Sequence, residues 1–93
     1  MTACSVIVCT RNRVGALQNC LASIVQAFAF ADELSCELIL IDNGSTDDTS
    51  RWANDYLSRS GVSFRVVREE KPGLAIARNA GLRHAVGDLL IFT

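Results

Sequence analysis

Apolar residues along this chain form short runs that alternate with longer stretches of helical spacing. The first run, CSVIVCT at 4–10, is rich in β-branched residues and is bounded by polar ones, which is typical of a strand buried on both faces. Similar runs follow at 37–41 (ELILI), 62–67 (VSFRVV) and 89–92 (LLIF). The pattern therefore predicts four strands.

Between these runs, apolar residues recur every three or four positions, which predicts a helix after each of the first three strands. The first helix is predicted to begin at Val14 and to end near Phe30. Ser45 and Asp48 are predicted to cap the second helix, and Gly87 to close the third. Strands alternating with helices across short connections predict a Rossmann-like, mostly parallel α/β sheet with strand order three-two-one-four.

Length and composition limit the classes of protein to which the chain can belong. Its 93 residues, 49% hydrophobic and 20% charged, are enough for one small domain with a core. The net charge is −1 and the basic residues are scattered, so no nucleic-acid partner is expected. No apolar run approaches the roughly 20 residues that cross a bilayer. These residues are therefore not expected to enter a membrane.

The four cysteines are predicted to be free thiols. Cys4, Cys9, Cys20 and Cys36 form no Cys-x-x-Cys pair, so neither a zinc site nor a disulfide framework is indicated. Free thiols are typical of a reducing cytoplasm, which is the expected location.

Polar residues cluster where the predicted strands end. In an open parallel sheet, ligands bind beyond the carboxyl ends of the strands. Strand one leads into Thr10, Arg11, Asn12 and Arg13, strand two into Asp42, Asn43 and Gly44, and strand four into Thr93. We expect these clusters to meet at one edge of the sheet and to form a binding site.

Asp42 is the most informative of these residues because it directly follows four apolar positions. A carboxylate at that depth needs hydrogen-bond donors around it. The imino N–H of uracil, thymine or guanine, or the hydroxyls of a ribose, would supply them. Backbone N–H groups of its own loop would do so equally well. The position of Asp42 leaves both interpretations open.

Arg78 is a candidate for binding a diphosphate. It lies one turn into the third helix, and a planar guanidinium makes bidentate bonds to phosphate groups. The alternative is a solvated arginine near Glu69 or Glu70, and Lys71 carries weaker versions of both interpretations. His84 lies late in the same helix, and a surface role is expected for it.

Four segments of the chain resemble family 2 glycosyltransferases, a group of nucleotide-sugar-dependent enzymes with the GT-A fold. They are SVIVCTRNR at 5–13, ELILIDNGSTDDT at 37–49, KPGLAIARNAG at 71–81 and AVGDLLIFT at 85–93. The resemblance implies that residues 1–93 are the N-terminal nucleotide-sugar-binding part of a glycosyltransferase domain. It implies that Thr10 and Asn12 help to seat the nucleotide. Together with the polar residues of the strand ends and the third loop, the predicted nucleotide-binding residues are Thr10, Asn12, Arg13, Asp42, Asn43, Gly44, Lys71 and Arg78. Asp42 would read the base, and Arg78 would contact the diphosphate.

The resemblance also implies parts that these residues do not contain. In the family, the strand that begins here at Leu89 runs into an acidic D-x-D or D-D-x motif, which is expected just after Thr93. That motif holds Mn²⁺ or Mg²⁺ on the sugar diphosphate, so no metal is expected to be held by this chain alone. The carboxylate that deprotonates the acceptor would lie further along, so no catalytic residue is predicted here. Asp88 matches the family's Gly-Asp element, for which a structural role is expected.

The full-length protein is thus expected to transfer a sugar from a UDP- or GDP-linked donor to a carbohydrate, lipid or protein acceptor. Its missing C-terminal parts could attach it to a membrane. The chain stops in an apolar strand, which suggests a truncated domain. The edge of that strand would present unpaired backbone groups through which copies could self-associate.

Two other classes of protein fit parts of the pattern. A dinucleotide-dependent oxidoreductase would also place an acid such as Asp42 after strand two, but its first loop needs a glycine-rich turn. Here TRNRVGAL offers only Gly15. A non-enzymatic receiver or interaction domain would need acids at the end of strand one, where this chain has Arg11 and Arg13. Both classes are therefore disfavoured.

Overall fold

The computed structural model describes residues 4–30, 35–87 and 89–92. Its elements are β1 (Cys4–Thr10), α1 (Val14–Phe30), β2 (Cys36–Asp42), α2 (Thr49–Ser58), β3 (Ser63–Arg68), α3 (Leu74–His84) and β4 (Leu89–Phe92). The strands form a parallel sheet in the predicted order, β3-β2-β1-β4. The Rossmann-like α/β class predicted from the sequence is confirmed. Asp88 and Thr93 lie outside the described residues.

Each face of the sheet carries its own hydrophobic cluster. The cluster facing α1 and α2 includes Val6, Val8, Leu38 and Leu40 from the strands and Leu17, Leu21, Ala53 and Leu57 from the helices. The cluster facing α3 contains Ile7, Ile39, Ile41, Ala77 and Ala80. Successive strand residues point to opposite faces, so burial of both faces requires continuous apolar runs. Each fully buried leucine or isoleucine contributes about 1.5–3 kcal/mol, so these clusters supply most of the stability.

Helix α3 lies close to β1 because its inner face carries small side chains. Ala77 and Ala80 are buried, and so is Gly81. A side chain at Gly81 would overlap with Cγ2 of Ile7, a fully buried residue of β1. The glycine is therefore required by the close approach of the helix to the strand.

Two predicted helix ends are wrong. α3 ends at His84, because Ala85 is extended (φ −73, ψ 136) and its N–H bonds to the Gly81 carbonyl. Gly87 instead passes against β1, where a Cβ would lie 2.7 Å from the backbone nitrogen of Ser5. The N-cap position of α2 is Asp48, and its side chain makes no capping bond.

The predicted capping pair at α2 fails because Ser45 is engaged elsewhere. Its N–H donates to Oδ1 of Asp42 at 3.0 Å, and its hydroxyl accepts the N–H of Asn12 at 2.9 Å. Asp47 serves the start of the helix instead, since its Oδ1 accepts the backbone N–H of Thr49 at 3.0 Å. Ser45 therefore belongs to the loop network and not to the helix.

A buried carboxylate that the sequence analysis did not predict lies at the amino end of the sheet. Oε2 of Glu37 accepts the Ser5 hydroxyl at 2.5 Å and the Val86 N–H at 2.9 Å. The Ser5 hydroxyl accepts the Gly87 N–H at 2.9 Å. These bonds attach the segment that follows α3 to β1 and β2. They thereby hold the start of β4 beside β1, where Leu89 is in register with Cys4.

The four cysteines are free thiols in the structure. Cys4 and Cys36 are register partners on β1 and β2. Burial, the neighbouring Cys36 and a hydrogen bond between the two thiols raise the pKa of Cys4. Since the thiolate is the reactive form, this thiol is a poor nucleophile at neutral pH. Within the described ranges, no helix has the length and apolarity required to cross a membrane.

Candidate functional site

Three loops meet at the carboxyl end of the sheet. They consist of residues 11–13, 43–48 and 69–73. Asn12 joins the first two loops. Its side-chain oxygen accepts the Thr46 N–H at 2.8 Å, while its own N–H donates to the Ser45 hydroxyl at 2.9 Å. Asn12 has a positive φ of 49, a conformation in which asparagine is among the better-tolerated residues. The predicted site residue Asn12 thus fixes the relative position of two loops.

Asn43 joins the second loop to the third. Its amide nitrogen donates to the carbonyls of Glu69 at 3.0 Å and Lys71 at 2.7 Å, and its amide oxygen accepts the Gly73 N–H at 3.1 Å. Its backbone N–H donates to the Thr10 carbonyl at 2.8 Å. This buried side chain therefore positions the segment that leads into α3.

Asp42 is completely buried, and its carboxylate is bonded from within the protein. It accepts the Ser45 N–H at 3.0 Å, the Ser50 hydroxyl and, at 3.4 Å, the Arg68 guanidinium. Burial alone would raise the pKa of Asp42, but the hydrogen bonds from Ser45 and Ser50 and the charge of Arg68 hold it below its ordinary value. Of the two interpretations that the sequence left open, the structure provides the loop N–H bond.

Arg68 is a residue of this network that sequence reasoning missed. At the end of β3, it donates to the Ser45 carbonyl at 2.7 Å and also bonds to Asp42 and Glu70. The bond to Glu70 raises the pKa of Arg68, although partial burial opposes this effect. The sequence could have indicated this position, because Arg68 ends a strand that is parallel to β1 and β2 and therefore reaches the same edge of the sheet.

A cleft of about 410 Å³ opens beside these loops, and we call it the arginine cleft. Its lining residues are Cys9, Thr10, Arg11, Arg13, Asn43, Leu74 and Ala77. Arg11 and Arg13 are exposed, and their guanidinium groups make no ion pair with the described residues. Among the described residues, the lining includes no acidic side chain, so the cleft is suited to an anion.

The start of α3 adds to the positive character of the arginine cleft. α1 begins directly after Arg13, and α3 begins at Leu74. Backbone N–H groups at a helix start are unpaired, and together they act as a partial positive charge. The cleft therefore combines two guanidinium groups with the start of α3, and α1 begins at the residue after Arg13.

Lys71, Arg78 and Gly44, which were also predicted as site residues, do not line the arginine cleft. Lys71 lines a second depression of about 270 Å³ with Glu69, Ile76, Asn79 and Arg83. Arg78 is close enough to Cys9 for its charge to oppose the rise in the Cys9 pKa that burial causes. Gly44 has a φ of 75 and passes 3.6 Å, measured from an ideal Cβ, from the Glu70 carbonyl. His84 lies near Arg65, with 3.4 Å between Nδ1 and a guanidinium nitrogen.

The described side chains do not form a metal site. In residues 4–30 and 35–87, no three His, Cys, Asp or Glu side chains are grouped so that they could hold an ion. The arginine cleft would repel a cation. A divalent metal of the family therefore does not fit the described residues by themselves.

Residues 5–93 match the family described as Glycosyl transferase family 2. A PGL/p-HBAD biosynthesis glycosyltransferase of Mycobacterium tuberculosis is 34% identical over 91 residues, covering 95% of this chain and 33% of that protein. The glycosyltransferase YfnE of Bacillus subtilis is 38% identical over 88 residues, covering 95% of this chain and 21% of that protein. The chain spans about a third or less of the length of these relatives. It belongs to glycosyl transferase family 2.

Solved structures that are similar to this chain include glycosyltransferases of the GT-A type. TarS of S. aureus (residues 1–349) superposes with a TM-score of 0.82 at 26% identity, covering 99% of this chain and 27% of that chain. The mannosyltransferase PcManGT of Pyrobaculum calidifontis, in complex with GDP-Man and Mn²⁺, gives a TM-score of 0.82 at 28% identity and covers 94% of this chain and 25% of that chain. The resemblance found in the sequence is therefore confirmed.

Proposed function

We propose that the whole protein transfers a sugar from a UDP- or GDP-linked donor to a hydroxyl of a carbohydrate, lipid or protein acceptor, and that these residues bind the donor nucleotide. The observation that carries the proposal is the arginine cleft, which is lined by the start of α3 and by two guanidinium groups that make no ion pair with the described residues. Guanidinium groups and helix starts are both good ligands for phosphate oxygens. The family membership and the GDP-Man complex of PcManGT support the same ligand class.

We assign different roles to the residues around this cleft. Arg11 and Arg13 bind the diphosphate together with Thr10, which also lines the cleft, and Arg78, which lies near the lining residue Cys9, adds positive charge beside it. Asp42 acts on the ligand through the loop that it holds, because its carboxylate already accepts three donors. The side chains of Asn12 and Asn43 likewise hold loops in place. Gly44 and Lys71 contribute mainly through their backbone.

We place the metal ligands and the catalytic base after Thr93. Phe92 is in register with Ile7, so a strand that continued in the same register would draw level with Thr10 three residues further on. Acidic residues there would reach the carboxyl end of the sheet beside the arginine cleft. A Mn²⁺ or Mg²⁺ ion at that point would neutralise charge on the sugar diphosphate. The four free thiols favour a cytoplasmic location for the protein.

The role of the arginines is tested by titrating UDP and GDP into the full-length protein. Removing both guanidinium groups in Arg11→Gln/Arg13→Gln should weaken binding by about ten- to a hundredfold, because hydrogen bonds to charged groups contribute about 1.5–3 kcal/mol. Arg51→Gln is the matched control, since Arg51 is an exposed arginine of α2 outside the cleft. Equal affinities for the wild type and the double variant would refute the assignment of the cleft.

We also propose that the isolated 93-residue chain self-associates through β4. In the described sheet β4 is an edge strand, paired with β1 on one side. Its other side presents backbone groups that can pair with a second copy. Sedimentation should show concentration-dependent dimers or larger species for the isolated chain. In the full-length protein β4 is expected to have a neighbour on its other side, so this association should be absent. A strictly monomeric isolated chain would contradict the proposal.

A further inference from the structure

The arginine cleft has two chemically different sides. Arg11 and Arg13 form a cationic side, whereas Leu74 and Ala77 form an apolar side. Leu74, the first residue of α3, is 56% exposed, and it differs from the other exposed leucine of α3, Leu82, in lining the cleft. A large apolar side chain gains by leaving water, so an exposed leucine in a cleft is suited to contact with an apolar surface.

Leu74 is held in this exposed position by the backbone around it. The Gly73 N–H donates to the Asn43 amide oxygen at 3.1 Å, and the Ala77 N–H donates to the Gly73 carbonyl at 3.0 Å. Ala77, one turn further along, is fully buried against the sheet. The core-facing side of α3 is thus already occupied, and Leu74 cannot rotate into the core without breaking the start of the helix.

We propose that Leu74 is the nucleobase-binding residue of the arginine cleft and that one flat face of the base packs against its side chain. This inference rests on the proposed function. A nucleoside diphosphate has an anionic half and a planar half with an apolar face, which correspond to the two sides of the cleft. A sugar offers hydroxyl groups that need hydrogen-bond partners, and a leucine provides none. Because every base has such a face, this contact favours nucleotides over diphosphate alone and discriminates little between uracil and guanine.

The test compares three ligands on the full-length protein by calorimetry: UDP, GDP and inorganic pyrophosphate. Leu74→Ala should weaken UDP and GDP by about three- to tenfold, the effect of losing part of a leucine contact. Pyrophosphate affinity should stay unchanged, because the cationic side is intact. Leu82→Ala is the matched control: Leu82 is 44% exposed on the same helix and does not line the cleft.

Each other outcome overturns a defined part of this proposal. If Leu74→Ala binds UDP and GDP as the wild type does, Leu74 does not contact the base, although the proposed function stands. An equal loss for pyrophosphate would assign the effect to a disturbed cleft. A lower melting temperature with unchanged UDP affinity would assign Leu74 to packing against the rest of the protein. If the wild type binds none of the three ligands, both this inference and the proposed function fail.

Discussion

Asp42→Ala is expected to lower the free energy of unfolding by about 2–4 kcal/mol, because it removes a buried hydrogen-bonded acceptor and leaves its donors without a partner. The Ser45 N–H and the Ser50 hydroxyl would lose their acceptor, and Arg68 would lose one of its anionic partners. Urea unfolding of the 93-residue chain, followed by the fluorescence of its single tryptophan, measures the change. Trp52 lies on α2, whose residue Ser50 bonds to Asp42.

Asp55→Ala is the matched control for this substitution. Asp55 also pairs with an arginine, Arg59, but both side chains are well exposed. Exposed pairs of this kind contribute about 0.2–1 kcal/mol, so the control should lose at most about 1 kcal/mol. Similar losses for the two variants would mean that burial of the Asp42 carboxylate has no particular importance.

The same network predicts how stability depends on pH. The pKa of Asp42 is lower in the folded than in the unfolded protein, so the unfolded chain takes up the proton first as the pH falls. The stabilisation is therefore complete above the unfolded pKa of about 4 and is lost as the pH falls through the folded value. Asp42→Asn should lack this contribution. Its stability should differ most from the wild type near neutral pH and least in acid.

The strands and the sheet order could be predicted because they depend on the apolar pattern and on the rules for connecting parallel strands. A strand covered on both faces is apolar at nearly every position, and the run at 38–41 has this pattern. The helix ends could not be predicted in the same way. Gly87 serves the close approach to Ser5 and not a cap, and a glycine in sequence carries no sign of which role it has.

The position of the candidate site in the fold could be predicted from the sequence, but the hydrogen bonds within it could not. Parallel strands end at one edge, so Thr10 and Asp42 had to be neighbours, and they are register partners. Which donors Asp42 would receive depends on loop conformation, including the positive φ of Asn12, and sequence does not determine that. Arg68 was missed for a different reason. β3 ends at the same edge of the sheet as β1 and β2, so its last residue could have been predicted to lie in the site as well.

The network also suggests why so few of the predicted polar residues face the cleft directly. Three loops, each too short to have a core of its own, need internal hydrogen bonds to hold one conformation. Asp42, Asn12 and Asn43 supply those bonds. The residues left for a ligand are those without such partners among the described residues, Arg11 and Arg13 above all. The proposed binding role of Arg11 and Arg13 follows from this division of the polar residues.

Gly81→Val is expected to be the second strongly destabilising substitution, at about 3 kcal/mol, the upper part of the usual range for overpacked cores. Even a Cβ at this position would overlap with Ile7, a fully buried residue of β1 that packs in one cluster with Ala77 and Ala80 of α3. Valine has a slightly better helix propensity than glycine, but that gain is below about 0.5 kcal/mol and cannot offset the overlap. The helix must therefore move away from the sheet.

Gly15→Val separates this packing effect from a general effect of replacing a helical glycine. Gly15 lies in the first turn of α1, and an added Cβ would meet no atom within 4 Å, so its stability should change by less than about 0.5 kcal/mol. Displacement of α3 in Gly81→Val should also move Leu74 and weaken the bond between Gly73 and Asn43. UDP affinity of the full-length variant should therefore fall at temperatures where it is still folded. Gly81→Val with the stability and UDP affinity of the wild type would show that α3 does not need this close approach to form the arginine cleft.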